Sequence, residues 1–162
     1  MRPSLAVLIS LCIAAPAGPA ISQGELAEAG DDPLDLIEAY QSGYFQVVAV
    51  SCFQLYASTG IIDSNYNGGF IDGETALLAL EQNSLLHSVC VTTLARIEEL
   101  TPADDELAQD EIGRLLAVLG AEGELIRALR DAFTEPSEEN DARVEAALSA
   151  VEEALESYVG QQ

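Results

Sequence analysis

The twelve residues Asp63–Glu74, DSNYNGGFIDGE, hold two Asn, three Gly and three acids. The sequence on either side is dominated by Ala, Leu and Glu at helical spacing. Reading this stretch as a break decides the fold, because it divides one long apolar pattern into two helices. It is also longer than a plain helix–helix connection requires.

Upstream, Leu34, Ile37, Tyr40, Tyr44, Val48, Cys52 and Leu55 recur every three or four residues, which predicts an amphipathic helix. Asp31 or Asp32 suits its cap and Pro33 its first position. It is expected to end near Gly60. Downstream, a second helix is predicted from about Gly73 to Leu100. Leu77, Leu80, Leu86, Cys90, Thr93, Ile97 and Leu100 form its inner face, interrupted by Asn83 and Ser84. TPADDE predicts a third helix with Thr101 as cap and Pro102 as first residue. Its stripe is Ile112, Leu115, Leu119, Ile126, Leu129 and Phe133, with a bend expected at Gly120 and Gly123. EPSEEN opens a fourth, with Val144, Leu148, Val151, Leu155 and Tyr158 or Val159 inward and Gly160 at its end. Four such helices on short links predict an all-α, up-down-up-down four-helix bundle over residues 33–160.

The separating stretch has a pattern of its own. Asp63, Asn65, Asn67 and Gly68 are followed by five residues and then Glu74, which satisfies D-x-[DN]-x-[DN]-G-x5-E. It resembles an EF-hand calcium loop. That resemblance implies a calcium site with side-chain ligands Asp63, Asn65, Asn67 and Glu74 and the backbone carbonyl of Gly69. Calcium takes six to eight oxygens, and a curled loop can aim alternate side chains at one centre. The resemblance covers a dozen residues and no second loop accompanies it. The same residues also suit a polar Asn-Gly turn without metal.

The N-terminus reads as an export signal. A charged start, the apolar run Leu5–Ala15 and the small residues of PAGPA lay out a signal peptide over residues 1–20. Residues 21–32 read as a flexible leader. The expected location is periplasmic or secreted, and no later segment is expected to span a membrane. Removing Arg2 takes the formal charge from −22 to −23, with no Lys and 28 acids in the chain. Such a charge repels nucleic acid and favours cationic partners or metal ions.

Cys52 and Cys90 survive maturation, and an even count in an exported chain predicts a disulfide between the first two helices. Placed symmetrically about the Asp63–Glu74 stretch, they would be offset by about five residues, or roughly 7.5 Å. His87 and Cys90 share a helix face and with Cys52 make a partial zinc set that lacks a fourth ligand. A single His and no nucleophile elbow argue against an enzyme. The first functional expectation is a small exported calcium-binding structural or binding protein. The alternative is a non-metal interaction module that binds a protein or a small ligand through an apolar patch drawn from Tyr40, Tyr44, Phe45 or Phe53.

Overall fold

The computed structural model describes residues 33–160, with side chains from Gly43 onward. The signal-peptide and leader segments fall outside the described residues. Four helices and no strand are present among those residues: α1 (Pro33–Asn67), α2 (Gly73–Leu100), α3 (Glu106–Thr134) and α4 (Glu138–Val159).

Helix α3 is the central element and packs against each of the other three. It buries the longest set of residues, among them Ile112, Leu115, Leu119, Leu125, Leu129 and Phe133. The core closes over it with Leu55 from α1, Leu80 and Leu94 from α2, and Val151 from α4. Cross-helix bonds fix the direction of successive helices. Asn83 Nδ2 donates to Ser58 Oγ and Thr59 Oγ1, both at 2.9 Å. Tyr158 OH donates to Glu111 at 2.6 Å, and Arg143 pairs with Asp131 at 3.0 Å near the other end. Both pairs of helices are therefore antiparallel. Tyr56 OH reaches Glu152 at 3.0 Å and ties α1 to α4.

Two predicted boundaries move. Helix α1 passes Gly60 and runs to Asn67. A glycine inside a helix costs only about 1 kcal/mol. The turns beyond it bury Ile62 and set the Tyr66 ring 4.3 Å from that of Phe133. Burying such side chains returns more than the glycine costs. Helix α3 starts at Glu106, with Asp105 as its cap accepting from Ala108 N–H at 3.0 Å. Thr101 is engaged at the end of α2, where its hydroxyl donates to Ile97 O at 2.8 Å.

Faces shift as well. Leu80, Cys90 and Ile97 are buried as expected, whereas Leu86 and Leu100 are exposed and Leu94 takes the inner place. No break falls in α3 at Gly120 or Gly123. Gly123 instead lets the His87 ring approach, since a β-carbon there would stand 3.1 Å from it. Finally, Gly43–Asn67 within α1 is long and apolar enough to cross a membrane by length and composition alone, contrary to the expectation that no later segment is. One third of its most apolar window is buried in the bundle.

Candidate functional site

The stretch Asp63–Glu74 is half helix and half turn. Asp63, Asn65 and Asn67 all lie in the last turns of α1. Helical residues two apart point about 200° apart, so Asn65 faces away from the other two. Asn67 Nδ2 donates to Asp63 Oδ1 at 2.9 Å. Glu74 stands on α2 and lines an open depression of about 420 Å³ with Leu77, Glu81, Phe133 and Thr134. The structure does not bring the five predicted ligands to one centre. Burial raises the Asp63 pKa above the usual carboxylate range, opposed by the Asn67 bond and reinforced by Asp141.

The glycines have a different task here. Gly69 has φ +70°, and its N–H bonds to Tyr66 O at 3.0 Å while Phe70 N–H bonds to Asn65 O at 2.9 Å. This pair of bonds is a Schellman motif with Gly69 at the left-handed position. Asp72 then caps α2 by accepting from Thr75 N–H at 2.8 Å, and those bonds lower its pKa. A helix stop and a helix start, placed back to back, account for most of the composition that set this stretch apart.

The longer α1 corrects the placement of the cysteines. Cys52 lies seven residues before Thr59, and Cys90 lies seven after Asn83, the pair bonded across the hairpin. Seven residues are nearly two turns on each helix. The two thiols therefore come level on facing sides of α1 and α2, without the expected offset. Both are buried free thiols in this structure. Burial raises each thiol's pKa, and for Cys52 both Glu122 and Cys90 add to the rise. The Ser51 hydroxyl, which donates to Val47 O at 2.8 Å, opposes the rise at Cys90.

Glu122 is a residue the sequence reading passed over. It is only 2% exposed, and neither carboxylate oxygen has a hydrogen-bond partner. Burial pushes its pKa up to about 9. His87 Nε2 sits 2.7 Å from Leu119 O, so this nitrogen carries the proton and donates. That bond turns His87 away from a role as an Nε2 metal ligand. Among the described residues no three His, Cys, Asp or Glu side chains are grouped to hold a metal ion.

The third feature is a band without charge. No Asp, Glu, Lys or Arg lies between Glu38 and Asp63 on α1, or between Glu81 and Arg96 on α2. The Thr59–Asn83 register lays residues 46–59 and 82–95 side by side. The result is a strip about 20 Å long with no formal charge. Val47, Val50, Leu85 and Val89 on it are all more than half exposed. Of the aromatic candidates Tyr44 is half exposed, while Phe45 and Phe53 are partly buried against the core. The Tyr40 side chain lies outside the described set. No protein-family model matches the chain, and no curated protein or solved structure does either.

Proposed function

We propose that the chain is a helical interaction module whose α1–α2 band pairs with a second copy of itself. The observation that carries this reading is the coincidence of exposed Val47, Val50, Leu85 and Val89 with the charge-free register of both helices. Two molecules of formal charge −22 repel one another wherever acids face acids. Across the band they can approach without that cost. One patch present on both copies is what a twofold interface needs. A rim of acids keeps the rest of the surface soluble.

The test is sedimentation velocity on the chain without residues 1–20, with Val47→Glu/Val50→Glu as the partner variant. A dimer at about 10 µM that becomes a folded monomer in the variant supports the reading. A wild-type monomer at about 100 µM overturns it. Co-flotation with zwitterionic lipid vesicles would assign the band to a membrane surface instead.

Calcium at Asp63–Glu74 is the lesser, second proposal, supported by the residue pattern and opposed by the hydrogen bonds that end α1. It requires the last turn of α1 to unwind so that Asp63, Asn65 and Asn67 can converge with Gly69 O and Glu74. Export to the periplasm or outside the cell is proposed from the Leu5–Ala15 segment. Intact mass of the protein purified from its own cells tests it by showing whether residues 1–20 are removed.

A further inference from the structure

We propose that the Asn67–Gly68 pair is a self-modification site, where the Gly68 backbone nitrogen closes on the Asn67 side chain and converts it to aspartate or isoaspartate, freeing the last turn of α1. The chain has four Asn, and this is the one followed by Gly. Ring closure brings the next residue's backbone nitrogen onto the side-chain carbonyl carbon, and a side chain on that next residue stands in the way. Gly68 leaves the approach open. A β-carbon there would stand 2.7 Å from the Phe70 ring, so the turn itself demands glycine at this place.

The other three Asn are held differently. Asn83 is half-buried in mid-α2 and tied to Ser58 and Thr59. Asn140 donates to Glu135 O and is followed by Asp141 within α4. Asn65 is followed by Tyr66, whose ring lies on Phe133. Asn67 is exposed and is the last residue of α1, and Gly68, Gly69 and Phe70 after it are exposed too. Two bonds delay its reaction. Gly68 N–H donates to Ser64 O at 2.9 Å. Asn67 Nδ2 donates to Asp63 Oδ1 at 2.9 Å, which draws the amide back along α1 and away from Gly68. Both bonds lie in a terminal helical turn, the part of a helix that opens at least cost.

When that turn opens, the Gly68 nitrogen attacks Asn67 Cγ. The new N–Cγ bond closes a cyclic imide, the Cγ–Nδ2 bond breaks, and ammonia leaves with the Gly68 amide proton. Water then adds to one of the two imide carbonyls and opens the ring. Opening at Cγ gives aspartate, and opening at the backbone carbonyl gives isoaspartate. One amide and one water become one carboxylic acid and one ammonia, and nothing is oxidised or reduced. The product cannot restore the turn. A carboxylate at position 67 faces Asp63 one turn back, and both sit at the negative end of the helix dipole. Isoaspartate also adds a carbon to the backbone, which breaks the Gly68–Ser64 register. The effect reaches the core, because Tyr66 lies in this turn and its ring is 4.3 Å from that of Phe133.

The experiment ages the full chain at about pH 8 and 37 °C, in buffer and in urea, and follows it by intact mass and peptide mapping. The expected result is a gain of about 1 Da per chain, mapped to position 67 with isoaspartate among the products. Its rate in buffer should be within about tenfold of that in urea, which puts opening of the turn at no more than about 1.4 kcal/mol. Asp72–Gly73 can isomerise through the same ring without a change of mass, so the mass reading separates the two pairs. Asn67→Gln should lose the gain at this position. The aged chain should melt about 3 °C or more below the fresh one, with faster hydrogen exchange over residues 64–68, and Asn67→Asp should show part of that fall. A gain seen only in urea, or mapped to Asn65, Asn83 or Asn140, would overturn the site. An aged chain with unchanged melting and exchange would overturn the release of α1.

Discussion

Helices α3 and α4 are finished toward water, whereas α1 and α2 are not. On the first pair Arg114 bridges to Asp110 and Glu111, Arg127 to Glu124 and Arg143 to Asp131. Their exposed large apolar residues are Leu107 near the start of α3 and Val159 at the end of α4. The second pair carries one such bridge, Arg96 to Glu99 near the end of α2, and exposes Tyr44, Val47, Val50 and Ile61 on one helix and Leu78, Leu85, Leu86, Val89 and Leu100 on the other. The two halves bury a common core, so core formation alone does not explain the difference. Scattered apolar side chains at a surface are ordinary, but a strip without charge in a chain of 28 acids is not. This contrast is what the proposed self-pairing of the α1–α2 half rests on.

The largest effect expected tests the better-finished half at its weakest point. Glu122 is buried in α3 and its pKa rises from 4.5 to about 9. A raised folded pKa means that the folded state holds the proton more tightly than the unfolded one. Stability is then fullest below about pH 4.5 and is lost as pH rises through about 9. At 1.36 kcal/mol per unit the loss is on the order of several kcal/mol. Urea midpoints at pH 5, 7 and 9 should fall in that order, and Glu122→Gln should flatten the trend. A wild-type midpoint that rises with pH would show that α3 has no buried proton-holding carboxyl.

The second test goes to the other half. Val47→Glu/Val50→Glu should weaken self-association about 100-fold, which is about 2.7 kcal/mol. Both positions are exposed, so the monomer's stability should change by no more than about 0.5 kcal/mol. Leu107→Glu, on the water-finished half, should leave association unchanged. Equal effects at Leu107 and Val47 would erase the distinction between the halves.

The four helices could be read from apolar spacing because burial on α3 and α4 follows a 3.6-residue period. The end of α1 could not, since Gly60 is a helix breaker only when nothing beyond it is worth burying. Ile62 and the Tyr66–Phe133 ring contact lie beyond it. The α3 start was missed because Thr101 and Asp105 are both good caps, and the hydroxyl of one was already bonded to Ile97. Glu122 was legible: it falls at the spacing of Leu115, Leu119, Ile126 and Leu129, a charged residue on an apolar stripe. The level placement of Cys52 and Cys90 depended on the length of α1, so the spacing of the sequence motif alone misjudged it.

A smaller effect separates the two ways of ending a helix. Gly69→Ala places a β-carbon at φ +70° and should cost about 1 kcal/mol. Asp105→Ala removes the α3 cap and should cost about the same. Thermal denaturation of both variants checks this. A neutral Gly69→Ala would show that the Schellman turn is not what stops α1.

Calcium should produce the smallest effect, and its size can be argued from both sides. A single extracytoplasmic site of this kind binds near the millimolar range. At ten times its dissociation constant, an ion adds about 1.4 kcal/mol of stability. Against that stand the helical bonds of the last turn of α1, the Asn67–Asp63 bond and the Gly69 and Phe70 cap bonds. Each is worth about 1 kcal/mol net, and the ion must replace them before Asn65 can turn inward. The bonds outweigh the ion. Calcium at 10 mM should therefore move the melting temperature by less than about 2 °C, with no difference between wild type and Glu74→Gln. One calcium per chain by calorimetry, lost in Glu74→Gln, would show the reverse. The hydrogen bonds that end α1 would then be weaker than the ion's pull, and Asp63–Glu74 would be a calcium loop held as a helix only in its absence.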